Sequence, residues 1–130
     1  MIVADASALV DLLLDRPGAH MTRSALAGER ALHAPHLIQT EVLHALRRWT
    51  GRGLIGAARA EAAVADLGAL PLVHHAHEPL NPRVWALRDR FSAYDATYVA
   101  LAEVLRATLV TADRPIAHGA RALVEVVDTS

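Results

Sequence analysis

Residues 2–14 read IVADASALVDLLL, from Ile2 to Leu14. Ile2-Val3-Ala4 is a short apolar run of strand character, Asp5 follows it directly, and Ala8 to Leu14 is apolar at helical spacing. The stretch therefore predicts strand, turn and helix, the opening unit of a parallel α/β fold. Such a strand is buried on both faces, and this explains its lack of polar alternation. An acid placed directly after it lies at the sheet rim where open α/β sheets bind ligands.

The same grammar continues along the chain. Arg16-Pro17-Gly18 breaks the first helix, and a second runs from about Ala19 to Ala27. Pro35 opens a longer helix from His36 to about Thr50, with Ile38, Val42, Ala45, Leu46 and Trp49 forming an apolar stripe and Glu41 and His44 at its border. Helices are expected from Ala57 to about Leu67, from about Pro82 to Arg90 and from Ala93 to Arg106. Strands are expected at Leu70–Val73, Thr108–Thr111 and Leu123–Val127. The fold class expected is α/β, an α/β/α sandwich with a central, mostly parallel sheet of four to five short strands flanked by helices. It forms a single domain over residues 1–130.

Composition narrows the chemistry. With no cysteine, the chain has no disulfide, thiol nucleophile or iron–sulfur cluster, and a reducing cytoplasm suits it. All thirteen basic residues are arginine, so mechanisms that need a lysine ammonium, such as Walker A nucleotide sites and pyridoxal enzymes, are unavailable. No apolar run approaches a membrane span of about 18 residues. The formal net charge is −1, yet with four acids sequestered on a cation the thirteen arginines would face ten acids, a mildly RNA-compatible surface.

Four acids stand out. Asp5 and Asp113 each end a strand, Glu41 borders its helix stripe, and Asp95 sits in the first turn of another helix. Each has a structural alternative. Asp5 and Asp113 can cap the helices after them, Ser92-Ala93-Tyr94-Asp95 fits a capping box, and Glu41 can be solvated.

Taken together, IVADASALVDLLL resembles the opening of a bacterial PIN-domain protein of the VapC toxin kind. APHLIQTEVLHALRR (Ala34 to Arg48), PLNPRVWALRDRFSAYDATYVALAE (Pro79 to Glu103) and LVTADRPIA (Leu109 to Ala117) resemble its second, third and fourth motifs. The resemblance puts Asp5, Glu41, Asp95 and Asp113 on the family's acidic quartet, with Ser7 and Thr111 as hydroxyls beside it. It implies an endoribonuclease dependent on Mg²⁺ or Mn²⁺, with Asp5, Asp95 and Asp113 as metal ligands and Glu41 as a ligand or a positioner of the attacking water. It also implies 5′-phosphate and 3′-hydroxyl products, a cognate antitoxin, a homodimer and a toxin–antitoxin hetero-oligomer.

His44 stands where many relatives carry asparagine. Arg47, Arg48 and Arg52 are candidates for phosphate contact, although cations also complement a helix C-terminus. His74-His75-Ala76-His77 is expected to be an exposed loop cluster, not a zinc site, because successive strand residues point to opposite faces. The competing functions are a catalytically inactive PIN-like module for RNA or protein binding and, more distantly, a phosphatase. The phosphatase lacks support because Asp5-Ala6-Ser7 has no second aspartate.

Overall fold

The sheet is organised around β1 (Ile2–Ala4), whose three residues are all buried. A computed structural model describes residues 1–130. From β1 the chain passes through α1 (Ala6–Leu13) and α2 (Ala19–Leu26) into β2 (Leu32–Pro35). It continues through α3 (Leu37–Gly51) and α4 (Ala57–Ala69) to β3 (Leu72–His75), and through α5 (Asn81–Ala86) and α6 (Ala93–Leu105) to β4 (Thr108–Thr111). It closes with α7 (Arg114–Ala120) and β5 (Val126–Asp128). The order across the sheet is β3-β2-β1-β4-β5, and every pairing is parallel. β1 is thus central, with Val3 opposite His33 on one side and Leu109 on the other. The connections leave β1 and β4 in opposite directions, which opens a crevice beyond their carboxyl ends.

One apolar cluster joins the elements, including Val3, Leu9, Ile38, Val42, Val99, Leu101 and Leu109. Helix α6 is buried without interruption from Ala96 to Ala102. Its three alanines in that stretch let the helix approach the sheet closely while Tyr98 and Leu101 fill the remaining volume. Gly18 is needed at another close approach: a Cβ there would lie 2.6 Å from the Thr129 carbonyl oxygen. No helix is long and apolar enough to cross a membrane.

Several boundaries differ from the sequence expectation. β2 was not anticipated, because Leu-His-Ala-Pro is short and carries two residues of poor strand propensity; it is held as a strand by pairing on both edges. The strand expected at Leu70–Val73 is displaced to Leu72–His75, since Pro71 has no N–H to give the ladder and its carbonyl instead accepts from Leu32. The strand expected from Leu123 begins at Val126, because Leu123 and Val124 bond back to Ala120 and close the end of α7. The helix expected to run to Arg90 ends at Ala86.

The histidine-rich segment is not a loop cluster. His74 and His75 belong to β3, where His75 Nε2 lies 2.9 Å from His33 Nδ1 and His74 Nε2 lies 2.8 Å from Gln39 Nε2. His77 Nε2 accepts from the Leu37 amide at 2.9 Å and caps the start of α3. These imidazoles are tied into the sheet edge by hydrogen bonds.

Candidate active site

At the carboxyl ends of β1 and β4, two short turns are locked together by side chains. The Asp5 carboxylate accepts from the Ala8 amide at 3.1 Å, so it does cap α1. It also accepts from Ser7 Oγ at 2.6 Å through Oδ1 and from Thr111 Oγ1 through Oδ2. Those hydroxyls in turn accept from backbone: Ser7 Oγ from the Ala112 amide at 2.9 Å and Thr111 Oγ1 from the Asp113 amide at 3.0 Å. Ser7 and Thr111 thus spend their single protons on Asp5 and orient it. The arrangement couples residues more than a hundred positions apart in sequence.

Asp113 is placed by the same logic as Asp5. It follows β4 and accepts from the Ile116 amide at 3.0 Å, capping α7. Capping and site-building are compatible here, because each cap uses one carboxylate oxygen. At Asp95 the capping-box reading holds only in part. Ser92 Oγ accepts from the Asp95 amide at 3.1 Å, but the Asp95 carboxylate returns no bond to the Ser92 backbone and is left for the cavity. Glu41 reaches the cavity from α3 and accepts from Tyr98 Oη at 2.6 Å.

All four acids line one open cavity of about 800 Å³. They meet there from four different elements, and none of the chain's ion pairs involves them. The electrostatics reflect this crowding. Asp5 is only 3% exposed, and burial, opposed by its hydrogen bonds from Ser7, Thr111 and Ala8, pushes its carboxyl up from 3.8 to about 6; the Asp113 charge adds to the rise. Burial also raises Asp95, with Asp113 contributing, and Glu41, with Asp95 contributing, while the Tyr98 hydroxyl pulls Glu41 back down. The Tyr98 phenol itself is held far above its usual range, so it remains a donor. Several carboxylates that disfavour one another's ionisation, with no basic partner, are suited to a cation.

The donors are all hard oxygens, and they do not close into a ready-made ligand cluster. An open oxygen-only set fits a cation that keeps several waters, as Mg²⁺ does, better than a closed tetrahedral site.

The structure brings together every acid singled out in the sequence, together with Ser7, and Thr111 lies directly behind them. Of the other candidates, His44 and Arg48 line the cavity, whereas Arg47 and Arg52 do not. Sequence reading missed Tyr98, Tyr94, Arg16 and, as a cavity residue, Trp49. Tyr98 was within reach: it stands three residues after Asp95, on the same face of α6. Arg16 and Trp49 meet only through tertiary packing.

Residues 2–122 match the PIN domain family. Among individual proteins, the chain is 44% identical over 113 residues to Ribonuclease VapC9 of Mycobacterium tuberculosis, covering 87% of this chain and 86% of that one. The fold is similar to that of PAE2754 from Pyrobaculum aerophilum, with a TM-score of 0.74, 26% identity and coverage of 98% and 88%. It is also similar to a toxin–antitoxin complex from Klebsiella pneumoniae, with a TM-score of 0.67, 19% identity and coverage of 100% and 98%.

Proposed function

The chain belongs to the PIN domain family, and from that premise we propose that it is a metal-dependent endoribonuclease, the toxin of a toxin–antitoxin pair, acting in the cytoplasm. One observation carries the reading: four carboxylates from four elements line a single cavity, and none of the four is ion-paired to an arginine or histidine. The likeness to Ribonuclease VapC9 supports RNA as the substrate.

Asp5, Asp95 and Asp113 would hold Mg²⁺ or Mn²⁺, with Glu41 as a further ligand or as the residue that positions water. The bound cation would offset the charge of the phosphate and of the leaving oxygen and make water a better nucleophile. The protein's own groups supply the positioning. Ser7 and Thr111 hold the Asp5 carboxylate by donating to both of its oxygens. Tyr98 fixes Glu41 through Oε1, leaving Oε2 to take a proton from the attacking water. Water adds in line to phosphorus, the P–O3′ bond breaks, and a proton passes to the departing 3′ oxygen. The products are a 5′-phosphate and a 3′-hydroxyl, and no covalent intermediate with the protein forms.

Incubating purified protein with total RNA and Mn²⁺, beside Asp5→Asn, tests this. The expected result is fragmentation by the wild type only; intact RNA with both proteins would favour an inactive binding module. A cognate antitoxin would mask the cavity, and its co-expression should restore growth to cells that express this chain. Growth arrest unaffected by any neighbouring gene product would count against the pair. A homodimer placing two such cavities side by side is expected, and a monomer mass by light scattering would refute it.

A further inference from the structure

The cavity's other wall is unlike its acidic one. Arg16, in the turn after α1, lays its guanidinium carbon 4.5 Å from the ring centroid of Trp49, near the end of α3. Both residues line the same cavity as the acids. Trp49 is half-buried and packs one part of its indole on the apolar core, so the ring is anchored. Arg16 is steadied by Asp11, whose Oδ1 lies 3.2 Å from its Nε, and its remaining guanidinium donors meet no protein acceptor. The result is a flat, cationic, preorganised surface at the mouth of a site built for a phosphodiester.

We propose that Arg16 and Trp49 form a stacking subsite for a base of single-stranded RNA next to the cleaved bond, with the free Arg16 donors available to a neighbouring phosphate. The proposal rests on the ribonuclease reading above and deepens it by assigning substrate recognition to this wall. Unpaired bases stack on aromatic rings and on arginine planes, while duplex RNA offers neither face. The guanidinium adds what an aromatic ring cannot, a charge and planar donors toward phosphate oxygens. A second arginine–tryptophan pair provides a comparison. Arg88 lies 4.8 Å over the Trp85 ring, but the two are neighbours on one short stretch of chain, Arg88 also bonds the Trp85 carbonyl, and neither lines the cavity. That pair is a local surface contact, whereas Arg16 and Trp49 come from separate elements to flank the acids.

The test uses the full chain in EDTA, so that RNA stays intact, with fluorescein-labelled oligoadenylate and an abasic ribose-phosphate chain of equal length as probes. Oligoadenylate should bind tighter than the abasic chain by about 5- to 150-fold, the range for one stacked base. Trp49→Ala should erase most of that advantage and Trp49→Phe should keep part of it. Arg16→Lys, a change at an exposed side chain, keeps the charge but loses the plane; it should reduce the base preference while leaving the salt dependence of binding nearly unchanged. Trp85→Ala should behave as wild type. A base preference that survives both Trp49→Ala and Arg16→Lys, or none in the wild type, overturns the subsite even if RNA is cleaved with Mn²⁺. A Trp49-dependent preference in a protein that cleaves no RNA upholds the subsite and defeats the nuclease reading instead.

Discussion

Replacing Asp5 by asparagine separates the price of building this site from its use. Burial raises the Asp5 carboxyl from 3.8 to about 6. At roughly 1.4 kcal/mol per unit, the metal-free fold carries a penalty of about 3 kcal/mol for holding that carboxylate ionised. The folded value lies above the unfolded one, so the penalty is absent below pH 4, grows between about pH 4 and 6, and is complete above that window. Asparagine still accepts from the Ala8 amide, but its NH₂ group cannot accept the Thr111 hydroxyl proton, a loss of about 1 kcal/mol. The balance makes metal-free Asp5→Asn more stable than wild type by about 2 kcal/mol at pH 7.5, or roughly 6–10 °C in Tm for a chain of this size. The gain should vanish near pH 4. Thermal melts in EDTA at the two pH values measure it, and Mn²⁺-dependent RNA cleavage by the same preparation should be lost. A variant less stable than wild type at pH 7.5, a gain of equal size at pH 4, or full cleavage by the folded variant would refute the reasoning.

Three further outcomes follow from named contacts. Tyr98→Phe removes the hydroxyl that lowers the Glu41 pKa, so the acid limb of the cleavage rate against pH should move to higher pH, and an unmoved limb would show that Glu41 does not control it. Gly18→Ala drives a methyl group against the Thr129 carbonyl oxygen and should cost about 1–3 kcal/mol in urea unfolding. Arg106 closes α6 with φ of 51°, a left-handed conformation that suits glycine, so Arg106→Gly should stabilise the chain by up to about 1 kcal/mol, and a destabilised variant would contradict that strain.

What the sequence made legible is what local pattern controls. Asp5 and Asp113 come just after short runs of strand character, so their place at the sheet rim could be read from that character alone. Asp95 and Glu41 needed the resemblance, because a carboxylate in a first helical turn or beside an apolar stripe is equally consistent with a cap or a solvated side chain. β2 was opaque because its strand character comes from its neighbours: His33 and Pro35 carry little strand propensity, and pairing with both β1 and β3 supplies the rest. The histidines of β3 misled for the same reason, since register with β2 rather than polarity decides where they sit. Arg16 and Trp49 lie on separate apolar-stripe and turn segments with no shared motif, and only the packing of α1 against α3 brings them together.

The hydroxyl lattice that ties Asp5 to Ser7 and Thr111 also sets a timetable for biosynthesis. The first acid is translated more than a hundred residues before the partner that orients it, and the strand that flanks β1 on that side arrives with that partner. At about 5–20 residues per second, Asp5 waits on the order of 5–20 s for Asp113 to be translated. No nascent fragment that ends before β4 can assemble the quartet. A protein that would cut RNA therefore lacks its complete acidic set through most of the synthesis of this domain.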